Sequence, residues 1–173
     1  MKTKLEKIHW GIAAPAGLFL LAILAFAGCD TVKSVKREKT FARFYLEVNP
    51  KNPAEDAETV VMPASGASIS IYPKPILTER DYENVELAKV DAGHCLLFSI
   101  KSDRAPILYN ATARNRGLRL VLKVNDQPVG VRVISEMVYN GMWMTFAEIP
   151  DKELVKLAVN LKRTAQQFSK FNQ

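Results

Sequence analysis

The chain has little of what enzymes and metal proteins usually need. Its 173 residues hold two cysteines and two histidines. His9 falls in the first ten residues, which leaves His94 and Cys95 as neighbours in one strand-like run. Adjacent strand residues point to opposite faces, so the two cannot converge as a nucleophile and its base. A zinc site needs three or four close ligands, and too few Cys and His are present to supply them. Glu55, Asp56 and Glu58 are acidic enough to attract Ca²⁺, but no regular loop pattern accompanies them, and they read as a solvated loop. "SGAS" (65–68) lacks the strand–turn–helix setting of a nucleophile elbow. No cofactor is expected. The net charge of +6 is mild and spread along the chain, unlike the dense basic face that nucleic acid requires. One long apolar run is present, near the start, and no second one follows.

That run supplies the first positive signal. Lys2, Lys4 and Lys7 precede 17 uncharged residues, 11–27, at the lower limit for a spanning helix. Pro15 and three glycines up to Gly28 weaken it as a permanent span. A basic start, an apolar stretch and small residues at its end describe a secretory signal. The end, Phe26-Ala27-Gly28-Cys29, resembles the lipobox of bacterial lipoproteins, with Phe26 in place of the usual aliphatic residue. The resemblance implies cleavage before Cys29 and acyl chains on its sulfur; two or more chains hold a protein stably on a membrane. The other reading is an uncleaved anchor helix. Both place the body outside the cytoplasm, tethered to a membrane. Asp30 resembles the enterobacterial signal for retention at the inner membrane.

From Cys29 onward 145 residues remain, one domain's worth, with 21 Lys and Arg against 17 Asp and Glu. With Cys29 lipidated, Cys95 has no disulfide partner and reads as a buried core thiol. The expected organisation is a signal over 1–28, a lipid anchor and polar tether over 29–40, a single domain over 41–168 and a tail over 169–173. The tether carries Lys33, Lys36, Arg37 and Lys39; it reads as a solvated linker, or as a segment drawn to anionic headgroups.

Periodicity then places the elements. Strands are expected over 41–48, 59–62, 68–72, 85–90, 94–100, 118–124, 129–134 and 142–149, with 76–81 as a connector. Asp91-Ala92-Gly93, Asn125-Asp126 and Tyr139-Asn140-Gly141 have turn composition. Ser102 or Asp103 can cap a helix that stops at Gly117, with Pro106 in its first turn. Asp151 can cap a second, running from Lys152 to about Phe168, with Leu154, Leu157, Ala158, Leu161, Ala165 and Phe168 as its apolar stripe. The fold class is α+β: an antiparallel sheet with two helices on one face, plus extra N-terminal strands.

The order of these elements resembles the first periplasmic, or head, domain of the SecD and SecDF protein-export subunits. Leu77, Thr78 and Asp81 match that domain's "LT–D" start. Thr112, Asn115, Gly117, Arg119 and Leu120 match its helix end and next strand. Val133, Ile134, Gly141 and the helix 151–161 follow in order, so the match spans 76–164. Val131-Arg132 replaces the family's Ala-Pro pair. The resemblance implies the head without the membrane motor: a non-enzymatic domain that binds an unfolded chain or an envelope partner, accessory to export. The alternative is a structural lipoprotein subunit of a larger envelope complex, without client binding. Contacts are expected at the Met/aromatic turn around Tyr139, Met142 and Trp143, or at a sheet edge by strand addition.

Overall fold

The computed structural model describes residues 39–170. The signal, Cys29 and nearly all of the tether lie outside the described residues. Ten elements follow in order: β1 (Ala42–Leu46), β2 (Glu58–Val61), β3 (Ser68–Ile71), β4 (Tyr82–Val90), β5 (Gly93–Ile100), α1 (Ala105–Arg114), β6 (Arg119–Val124), β7 (Gln127–Val133), β8 (Met142–Ala147) and α2 (Asp151–Lys170). Six strands form one antiparallel sheet in the order β1-β6-β7-β8-β5-β4, and β2 pairs with β3 apart from it. Among the described residues no helix is long and apolar enough to cross a membrane.

Local chemistry sets the hairpins. Asn125 and Asp126 both take positive φ, 47° and 66°, the backbone of a tight primed turn, and Val124 pairs with Gln127 across it. Asn125 Oδ1 also accepts from the Phe41 amide at 2.8 Å. Asp91-Ala92 closes β4 on β5, with Val90 opposite Gly93.

Both helices pack on one face of the sheet. Leu108 of α1 and Leu154, Ala158, Leu161 and Ala165 of α2 share a core with Phe44, Phe98 and Leu122. Phe44 meets Phe98 edge-on at 4.8 Å, and Tyr82 meets Phe98 at 5.3 Å. These three rings come from β1, β5 and β4, so the two ends of the strand order approach each other. The sheet is therefore curled into a half-barrel. The β2–β3 hairpin covers the opposite face, where Val60, Met62, Ile69 and Ile71 pack on Tyr45 and Val121. β1, outside the sequence-level match, is integral to the main core.

Several element ends differ from expectation. β4 starts at Tyr82, because a bulge between Tyr82 and Asn84 turns the tyrosine into the core. α1 starts after Arg104 with no side-chain cap; the Lys101 carbonyl accepts from the Arg104 and Ala105 amides instead, and Asp103 lies against Arg104. Asp151 is the first residue of α2, and the carbonyl of Pro150 accepts from Glu153 and Leu154. Its carboxylate is turned to His94 Nδ1 at 2.9 Å.

Two carboxylates clamp distant segments. Glu148 accepts from the amides of Ala64 and Ser65 and from the Ser65 hydroxyl, which fixes the β2–β3 turn to the end of β8. Glu79, buried, pairs with Arg43 at 3.0 Å. Burial pushes both acids up, but their hydrogen-bond donors outweigh it and hold them below the ordinary 4.5. Acids depressed in the folded state contribute stability above their unfolded values and lose it as pH falls through the folded ones. We expect the melting temperature to fall on acidification below about pH 4.5, and to fall less in Glu148→Gln, which has no charge there to lose. Thermal scans across pH 3–7 check this.

Candidate polypeptide-binding site

β8 carries large apolar side chains on both faces. Trp143 and Thr145 face the helix-side core at 2% and 0% exposure, while Met142, Met144 and Phe146 on the other side are half-buried. Of the three sequence-picked contacts, Tyr139 is 71% exposed and Met142 half-buried, and Trp143 lies beneath them. They do come together. The turn before β8 and the end of β7 enclose a groove of about 430 Å³ lined by Arg132, Glu136, Met137, Tyr139, Met142 and Trp143. The Arg132 guanidinium sits 5.1 Å from the Trp143 ring centre and donates to the Met144 carbonyl at 3.0 Å. Trp143 Nε1 is buried with no hydrogen-bond acceptor among the described residues.

The turn is held from two sides. Thr112 on α1 is fully buried; its hydroxyl donates to the Leu108 carbonyl at 2.9 Å and accepts from the Val138 amide at 3.0 Å. The Gly141 carbonyl accepts from the Ile100 amide of β5 at 2.8 Å, and Gly141 has a φ of 66°. Tyr139 then leans on Tyr109 of α1 with ring centres 5.5 Å apart. Tyr139 on the fixed turn and Tyr109 on α1 together present large apolar area with little side-chain entropy to lose, as a protein-contact site requires. Sequence reading missed Tyr109 and Arg132. Arg132 was visible only as a departure from the Ala-Pro pattern.

The other candidates are placed elsewhere. Cys95 is fully buried, donates weakly to the Ala88 carbonyl at 3.7 Å, and burial pushes its thiol up. His94 points the other way, to Asp151. Glu58 is no loop residue: it opens β2, and Lys123 Nζ lies 2.8 Å from its carboxylate. Ser65 is taken up by Glu148.

The residues that carried the family resemblance are structural. Asp81 accepts from the Thr78 amide and hydroxyl at 2.7 and 2.8 Å, closing the turn into β4. Gly117 has a φ of 87°, just beyond α1. Arg119 donates through its amide, Nε and Nη2 to Glu47 of the segment after β1.

No protein-family model and no curated protein sequence matches the chain. Solved structures do match by fold. One, described as "Crystal structure of SecDF in Super-membrane-facing form", superposes with a TM-score of 0.54 at 14% identity, over 75% of this chain and 19% of that one. The fold is similar to that of SecDF. A second SecDF structure, of "a membrane component SecDF that enhances protein export", gives a TM-score of 0.53 at 13% identity, over 75% of this chain and 63% of that one. The likeness is one of fold, and the chain spans about a fifth of the first SecDF chain.

Proposed function

We propose that the chain is a non-enzymatic, membrane-anchored lipoprotein whose SecD-head-like domain binds polypeptide, or an envelope partner protein, outside the cytoplasm as an accessory to protein export. The observation that carries this reading is the rigid aromatic turn: exposed Tyr139 and Tyr109 beside the groove floored by Trp143, on a fold shared with SecDF. The anchor rests on the sequence: Cys29 behind small residues at the end of an apolar run, with Asp30 favouring the inner membrane. A polar tether of about a dozen residues then spaces the domain from the bilayer.

Two measurements test it. Cys29→Ser is expected to leave most of the protein uncleaved, with its full signal and no lipid; mass spectrometry of the wild-type N-terminus should show an acylated cysteine, and an intact Met1 on the wild type would replace the lipid anchor with a helical one. Full-length protein in detergent should bind a reduced, carboxymethylated unfolded protein, and Tyr139→Ser should weaken that binding about tenfold without moving the melting temperature, since the ring is exposed. Stable recovery of a single partner with no binding of unfolded chains would favour the structural-subunit alternative.

A further inference from the structure

The two edges of the six-stranded sheet are treated differently. β1 is covered by the chain itself: the Phe44 amide donates to Leu77, Ile76 to Phe44, Val48 to Ser70 and Tyr72 to Leu46, all within 2.9 Å. β4, at the other edge, has no backbone partner on its outer side among the described residues. Such an edge holds a row of unpaired N–H and C=O groups, a template for one more strand. Its ends are guarded, by the bulge between Tyr82 and Asn84 and by Lys89; between them Val85 to Ala88 has no outer backbone partner among the described residues, and Lys162 of α2 is paired with Glu86 there.

α2 lies alongside. Lys162 Nζ is 3.6 Å from Glu86 of β4, and a groove of about 700 Å³ runs between strand and helix, lined by Glu83, Asn84, Lys162, Gln166, Ser169 and Lys170. Val155, Val159, Lys162 and Gln166 stand at i, i+4, i+7 and i+11 and so share one stripe of the helix. Val155 and Val159 are about half exposed, at 49% and 52%, and Leu87 on the strand is 36% exposed. Beyond Glu153 the helix has no acid, while Lys156, Lys162, Arg163 and Lys170 make it basic.

We propose that β4 takes up an extended polypeptide segment carrying acidic side chains, which adds as a seventh strand in the groove between β4 and α2. The free edge requires an extended backbone, and Val155, Val159 and Leu87 offer apolar surface on the helix and strand; in the groove Lys170 and Lys162 receive its carboxylates, Lys162 by leaving Glu86, with Glu83 the one acid in the lining. A second copy of this chain fits less well, because pairing β4 with β4 would bring two basic helices to one seam. The proposal rests on the polypeptide-binding reading and names its place.

Full-length protein in detergent is titrated into a labelled ten-residue peptide of alternating valine and glutamate, followed by fluorescence anisotropy. Peptides N-methylated on one set of alternate amides should lose at least tenfold in affinity while the other set loses little, because an edge strand bonds only every second residue. Lysine in place of glutamate, or Lys162→Glu in the protein, should weaken binding about fivefold. Equal affinity of both methylated series overturns the proposal, as does binding of the carboxymethylated unfolded protein without the peptide; in both cases the broader reading stands. Binding of neither overturns both. Self-association through β4 in place of peptide uptake also overturns it.

Discussion

Phe98→Ala is expected to destabilise the domain by about 4 kcal/mol, a fall in melting temperature of roughly 8–16 °C. Phe98 has no exposed surface and stands between Phe44 and Tyr82, edge-on to both rings. Its removal loses the transfer energy of a phenyl ring and leaves a cavity whose walls are strands, which collapse poorly because each is tied into a sheet. The same ring joins β1 to β4 through the core, so the effect should be uneven. Amide exchange in β4, held on one side only, should accelerate more than in β6, which is held on both. Phe98→Leu keeps most of the volume and should cost about 1–1.5 kcal/mol. Denaturant unfolding with exchange read by mass spectrometry checks both. Equal loss for Ala and Leu, or uniform exchange across the sheet, would remove the ring from its role in curling the sheet.

What the sequence reveals of this molecule divides by distance along the chain. The β6–β7 hairpin was legible because Asn125 and Asp126 tolerate positive φ, and the stripe of α2 because its spacing is helical. The start of β4 was not: a bulge at Tyr82 breaks the alternation that would announce a strand. For β8, period two separated Trp143 from Met142 and Met144 but could not say which side is inside, since both sides are apolar. The decision came from α1, α2 and the β2–β3 hairpin, each far away in sequence. The candidate site follows the same rule. Tyr139 and Met142 are near in sequence and were found together, whereas Arg132 reaches the groove only through β7, and Tyr109 reaches Tyr139 only through α1. Which edge is free depends on strand order, and strand order is set by pairings such as Leu46 with Leu120 that no local pattern carries. The proposed lipid anchor stands the other way round: the proposal rests wholly on local residues, Ala27 to Asp30, outside the described residues.

Gly130→Ala should be the second large effect, about 3 kcal/mol of stability and roughly 6–12 °C in melting temperature. The cause is close approach of backbone, since Gly130 does not have a positive φ. A Cβ at this position would stand 2.5 Å from the Phe146 carbonyl oxygen on the neighbouring strand. A side chain could swing aside, but a carbonyl in a sheet cannot move unless its strand moves. β7 and β8 are joined by only two residue pairs, Gly130 with Ala147 and Val131 with Phe146, so they have little to hold them against such a push. Parting them also strains the bond from the Glu148 amide to the Val129 carbonyl, 2.6 Å in length, and with it the Glu148 clamp on the β2–β3 turn. The variant should therefore lose the acid sensitivity that Glu148 confers as well as stability, and proteolysis should cut first in the loop before β2. A Gly130→Ala protein as stable as the parent, with the hairpin still protected, would show that β7 and β8 part at no cost, and that the β2–β3 hairpin is held by its apolar contacts alone.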